Sequence, residues 1–185
     1  MKFIKLLFVI FITLPSPVKA DLNENLINKI NNSGNLIFIR HAFAPGMGDP
    51  SNFDINDCKT QRNLNTRGRE QAKKIRKYFS TKQIPISKVI SSEWCRCQET
   101  ALLSFGNFET KSFLNSFYSS KFKKNKNKQI KDLKEYVRKW GNDKNLVFVT
   151  HYVVINEVLG YAPSSGEIVI SNINFEKITS VKVDY

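Results

Sequence analysis

Two short apolar runs, Asn35-Leu-Ile-Phe-Ile-Arg40 and Asn145-Leu-Val-Phe-Val-Thr150, constrain the fold of this chain most. Neither alternates apolar with polar residues, so neither reads as a strand with one wet face. Continuous runs of this length, rich in β-branched residues, read as strands buried on both sides. That is the condition of a parallel sheet covered by helices above and below.

The segments between and around them supply those helices. From Thr66 to Thr81, Ala72, Ile75 and Phe79 recur at helical spacing, which predicts an amphipathic helix. Lys88–Ser91 reads as a second strand and Glu93–Phe105 as a second helix. Ile130, Leu133, Val137 and Trp140 mark a third helix closed by Gly141, and Tyr152–Leu159 a short fourth. Two late strands are expected near Glu167–Ser171 and Ile178–Val183. The stretch 115–129 is lysine-rich and lacks an apolar period, so an exposed loop is expected there. Strands alternating with helices predict an α/β, three-layer sandwich with a mainly parallel central sheet. A composition of 41% hydrophobic and 24% charged residues excludes a disordered or collagen-like chain.

Residues 1–20 have the pattern of an export leader: Lys2 and Lys5, an apolar run from Leu6 to Leu14, then Val18-Lys19-Ala20. A run of nine residues falls short of the roughly 20 needed to cross a bilayer as a helix. The expectation is a signal peptide cut after Ala20, a single domain over 21–185, no membrane span after its removal, and a periplasmic or secreted location. The leader holds three of the 29 basic residues and none of the 16 acids, so the mature chain carries a charge near +10. Anionic partners follow, here a small phosphorylated or anionic envelope substrate. Nucleic acid is not expected, although seven lysines fall between Lys121 and Lys134, because no binding motif accompanies them. Of the three cysteines, Cys95 and Cys97 are too close to bridge comfortably. Export therefore favours a disulfide from Cys58 to one of them, leaving the other free. Neither a metal site nor a cofactor is suggested by the spacing of these cysteines and the two histidines.

The two histidines, His41 and His151, each directly follow one of the two buried strands. Ligand sites in open parallel sheets lie beyond the carboxyl ends of the strands, so both imidazoles should reach one edge. Arg40 precedes His41, and Arg96 follows the strand ending at Ser91. Two guanidinium forks and two imidazoles suit a tetrahedral oxyanion, with an imidazole as nucleophile.

At this point the chain resembles the histidine phosphatase superfamily, the phosphoglycerate-mutase-like proteins. The opening strand and Arg-His-Gly motif reads Ile39-Arg40-His41-Ala42 here. The helix start is matched by Leu64, Gly68, Gln71 and Ala72, the third block by Ser92, Arg96, Thr100 and Ala101, and the last by Phe148-Val149-Thr150-His151. The resemblance implies an exported phosphatase acting on a phosphomonoester, with His41 as nucleophile and Arg40, Arg96 and His151 clamping the phosphate. It also implies Arg62 and Glu167 as candidate substrate contacts. The general acid is left among Asp49, Asp54, Glu93 and Glu167. A non-catalytic phosphate- or polyanion-binding relative is the alternative. Ala42 stands where the family has glycine, a change that is costly only if the local φ is positive.

Overall fold

The computed structural model describes residues 27, 28, 30, 31, 34–141 and 144–184. The expected leader lies outside the described residues. Six strands form one sheet: β1 (Leu36–Arg40), β2 (Ile86–Ser91), β3 (Glu109–Thr110), β4 (Asn145–Thr150), β5 (Ile168–Ser171) and β6 (Lys177–Val181), in the order β3-β2-β4-β1-β5-β6. The four strands β3, β2, β4 and β1 are mutually parallel. β5 runs antiparallel to β1, and β6 antiparallel to β5. The α/β sandwich with a mainly parallel centre is therefore as expected.

Among the described residues, beside the helical positions 27, 28, 30 and 31, five helices flank it: α1 (Thr66–Thr81), α2 (Cys95–Phe105), the single turn α3 (Ser120–Lys123), α4 (Lys126–Arg138) and α5 (Tyr152–Leu159). Because successive strand residues point to opposite faces, the two continuous apolar runs feed two cores. Ile37, Ile39, Val147 and Val149 pack with Ile75 and Phe79 of α1 and with Cys97 and Ala101 of α2. Leu36, Phe38, Leu146 and Phe148 pack with Leu133 and Val137 of α4 and with Val154 and Ile155 of α5. All six residues of β4 are buried, which explains why its sequence does not alternate.

Local chemistry fixes the helix starts. Asn65 caps α1 by accepting from the Gly68 N–H at 3.0 Å. Gly68 is needed for space: a Cβ there would lie 2.0 Å from the Phe43 carbonyl oxygen. The start of α1 thus presses directly on the chain leaving His41. Gln71, buried one turn later, accepts from the Phe43 N–H at 2.9 Å and donates to the Ser165 carbonyl at 2.7 Å.

Two expectations need correction. The stretch 115–129 is not an exposed loop throughout. Ser116 and Phe117 are buried, residues 120–123 form α3, and α4 begins at Lys126, a turn before the expected Ile130. Buried Gln129 donates to the Ser112 and Asn115 carbonyls, at 2.8 and 2.9 Å, and so ties that early turn down. The two-residue strand β3 was not foreseen, being too short to carry a period.

Candidate active site

The register sets the site. Arg40 of β1 lies opposite Thr150 of β4, so His41 and His151 leave adjacent parallel strands at the same level. Their rings meet edge to face with centroids 5.5 Å apart, and both are buried. Arg96, in the first turn of α2 beyond the end of β2, reaches them from the next strand over. Arg40, His41, Arg96 and His151 line one pocket of 320 Å³, and Arg62 lines it as well.

The partners of His41 define its protonation. Its Nδ1 lies 2.8 Å from the Ala42 carbonyl, which can only accept, so Nδ1 carries the proton. Nε2 then holds the lone pair, and it accepts from the Arg96 Nε–H at 3.2 Å. Burial, then the Arg96 charge, push the imidazole well below its ordinary pKa of 6.5. His41 is therefore a neutral imidazole with its free lone pair on Nε2.

His151 is neutral for the same leading reasons, burial and then Arg96. Its Nε2 lies 3.0 Å from the Ser92 hydroxyl. Asn115 sets the direction of that bond. Its amide nitrogen donates to Glu93 at 2.6 Å, and its oxygen accepts from the Glu93 N–H and from Ser92. The Ser92 proton goes to Asn115, so Ser92 accepts from His151 Nε2–H. Neither Ser92 in this role nor Asn115 was foreseen. Ser92 appears in the third motif block, whereas nothing in the sequence marks Asn115.

The buried neutral histidines carry a pH signature. The unfolded chain protonates histidine near 6.5, while the folded protein resists until well below that value. The unfolded state therefore binds more protons below about pH 6.5, and stability falls as pH drops through this window. The stabilising contribution is full above it. The urea midpoint should decline between about pH 7.5 and 5.5, and His41→Gln should make that decline shallower. A flat profile would contradict neutral burial.

Arg96 is buried and fully engaged. Its two terminal nitrogens donate to Asp49 as a fork, at 2.7 and 3.1 Å, and one also reaches the Arg62 carbonyl. Asp49 further accepts from the Arg62 N–H and the Trp94 indole N–H. Burial pushes the Asp49 carboxyl upward, but the Arg96 fork and these donors outweigh it and hold the group below its ordinary range. Asp49 is thus an anion near neutrality, not a loaded proton donor. The other expected acids lie elsewhere. Asp54 sits in an exposed turn, accepting from the Asn56 N–H, and Glu93 is bonded to Asn115. Among the described residues, Asp49 is the one acid lining the pocket.

Arg40 is half-buried. One terminal nitrogen donates to the Pro163 carbonyl at 2.9 Å, and the guanidinium lies over the Tyr152 ring at 5.2 Å. Its Nε–H is buried with no hydrogen-bond partner, an orphan donor in the lining of a pocket rich in cations. Arg62 donates to the carbonyls of Ala44 and Gly48, so it shapes the loop that presents Asp49. Glu167 does not line the pocket, a correction to its candidacy as a substrate contact. Its buried carboxylate accepts from the Tyr161 hydroxyl at 2.5 Å and the Ser164 N–H at 2.8 Å. Its neighbour Gly166 donates to the Arg40 and His41 carbonyls, so this segment braces the backbone at His41.

Ala42 is accommodated. Only Gln83 and Phe175 among the described non-glycine residues have positive φ, and the Ala42 methyl packs with Ala44, Leu64 and Ala72. The disulfide joins Cys58 to Cys95, tying the loop before α1 to the first residue of the helix that bears Arg96. Cys97 is free and buried, and burial pushes its thiol up to about 12.

Residues 36–112 match the model of the histidine phosphatase superfamily, branch 1. No curated protein matches the sequence. A Thermus thermophilus protein of solved structure is similar in fold, with a TM-score of 0.57 at 13% identity, over 81% of this chain and 99% of the other. A phosphoglycerate mutase from the same organism gives 0.53 at 15% identity, over 81% and 99%. SixA from Agrobacterium tumefaciens, to which phosphohistidine phosphatase activity is ascribed, gives 0.56 at 14% identity, over 80% and 97%. The segment holding Arg40, His41, Arg62 and Arg96 thus matches the histidine phosphatase superfamily in sequence, the fold is similar to these solved structures over four fifths of the chain, and the sequence match supports a phosphatase- or mutase-type activity.

Proposed function

We propose that this protein is an exported phosphatase that hydrolyses a phosphomonoester through a phosphohistidine on His41. The observation that carries the reading is the neutral His41 ring, its Nε2 lone pair turned to Arg96 and its Nδ1–H anchored on Ala42. A phosphoryl oxygen takes over the Arg96 Nε–H and so frees that lone pair. The orphan Arg40 Nε–H and the His151 Nε2–H are donors for the remaining oxygens, the latter in exchange for Ser92. His41 Nε2 attacks phosphorus in line, and the bond to the alcohol oxygen breaks. A water-derived hydroxide then attacks phosphorus, the N–P bond returns its electrons to Nε2, and phosphate leaves. Over the two steps one water gives a proton to the alcohol and a hydroxide to phosphorus.

A second reading has its own support. Asp49, the one acid lining the pocket among the described residues, is held ionised by Arg96 and offers no proton to a leaving group, which suits a relative that binds phosphate or polyanions without turnover. Hydrolysis of p-nitrophenyl phosphate by the purified protein decides between them. Turnover with an acid-labile phosphoryl label on the His41 peptide is the expected result. Label on serine or aspartate would overturn the mechanism, and no turnover would favour the binder.

Export is part of the same proposal. It rests on the leader pattern of residues 1–20 and is supported by the Cys58–Cys95 disulfide, since such bonds persist in oxidising compartments. N-terminal sequencing of the protein recovered outside the cytosol should begin at Asp21. A sequence beginning at Met1 would contradict cleavage.

A further inference from the structure

The floor and the mouth of the pocket differ in chemistry. The floor is cationic and holds the two imidazoles. The mouth, where Met47 and Tyr118 are exposed, is bordered by rings, of which Trp94 is itself buried against His151. Phe53 stacks on Trp94 with centroids 4.9 Å apart, and Phe122 meets both edge-on at 5.6 and 5.5 Å. Tyr118 and Tyr152 form a second pair at 6.0 Å. Four large hydrophobic residues are conspicuously exposed among the described residues, and two of them line this one pocket: Met47 at 91% and Tyr118 at 56%. A single exposed apolar side chain is ordinary, but this pair, set among the aromatic rings at the mouth of a cation-floored pocket, forms a surface suited to a flat apolar group.

Resting on the phosphatase reading above, we infer that this mouth is a leaving-group subsite, and that the substrates are small phosphate monoesters whose alcohol carries an aromatic ring. The size agrees. At 320 Å³ the pocket lies at the low end of small-ligand sites, which run to about 1,000 Å³. It has room for a phosphoryl group and one ring system. The reaction chemistry agrees independently. The carboxylate lining the pocket is committed to Arg96, and an aryl oxygen departs with less need of a proton than an alkyl one. Ser116, Ser119 and Lys121 stand among the rings as the polar groups that would orient a ring substituent.

Calorimetric titration of the purified protein with benzylphosphonate and propylphosphonate tests the subsite without requiring turnover. Both carry the same charged head and a carbon–phosphorus bond that this chemistry does not cleave. Benzylphosphonate should bind about tenfold more tightly, the scale expected for a ring placed against aromatic walls. Tyr118→Ala should bring the ratio toward one, whereas Leu102→Ala, an exposed apolar change in α2 outside the pocket lining, should preserve it. Equal binding of the two ligands, or a ratio that survives both Tyr118→Ala and Met47→Ala, would overturn the subsite alone. Failure of both ligands to bind would overturn the phosphate-site reading beneath it.

Discussion

Replacing His41 by alanine should remove turnover of p-nitrophenyl phosphate by about 10⁴-fold or more, the scale on which loss of a covalent nucleophile acts. The ring is buried between the Ala42 carbonyl and Arg96, and no second imidazole can take its place. His151 sits 5.5 Å away, but its Nε2 carries the proton given to Ser92. His151→Ala should therefore leave a weakened enzyme, because it deletes a donor and not the attacking atom. The trapped phosphoryl label should vanish in His41→Ala and survive in His151→Ala. Undiminished turnover in His41→Ala would end the phosphohistidine mechanism.

Arg96→Ala should lower turnover by about 10²–10³, the cost of removing one charged donor from a developing oxyanion. The structure adds a complication to this test. Arg96 and Asp49 form a largely buried pair, with side-chain exposures of 4% and 16%. Removing one partner leaves the other charge uncompensated, which typically costs about 3–5 kcal/mol of stability. The double variant Arg96→Ala with Asp49→Asn relieves that penalty. It should regain stability in urea while remaining slow. Recovery of the rate along with the stability would make Arg96 a structural residue only.

The layout of the sheet was legible because its central strands are buried on both faces, and burial of that kind leaves a continuous apolar word in the sequence. The same holds for α1 and for α5, whose apolar positions face a core. Where contacts are made by polar side chains, the signal thins. Gln129 pins the start of α4 through two carbonyls, yet in sequence it is one more polar residue among lysines. Asn115 directs the His151 bond through Ser92, and no spacing rule announces it. Phe117, Tyr118 and Phe122 were the readable clue that 115–129 is more than a solvated loop, because aromatic residues in a lysine-rich stretch need somewhere to pack. Asp49 and Arg62 illustrate another limit. The type of Asp49 suggested a proton donor, but the chain spends it on Arg96, while Arg62 lines the pocket and also holds two loop carbonyls. Chemical type is visible in a sequence, whereas commitment to a partner is a property of the fold.

The sheet order has a consequence for how this protein comes into being. β4 lies between β1 and β2, yet it is made after both, and Leu36 pairs with Leu146 across more than half the chain. A nascent chain released as far as residue 112 already contains His41 and Arg96. It lacks the strand that must slot between β1 and β2, and it lacks His151. Closing so long a loop is an entropic cost that only the completed central strand repays. The cross-link between Cys58 and Cys95 joins two residues that both precede β4, so it does not depend on that strand. Chemical competence therefore arrives in a single late step, when the last central strand inserts, and a truncated or partly threaded chain has no half-active form to release.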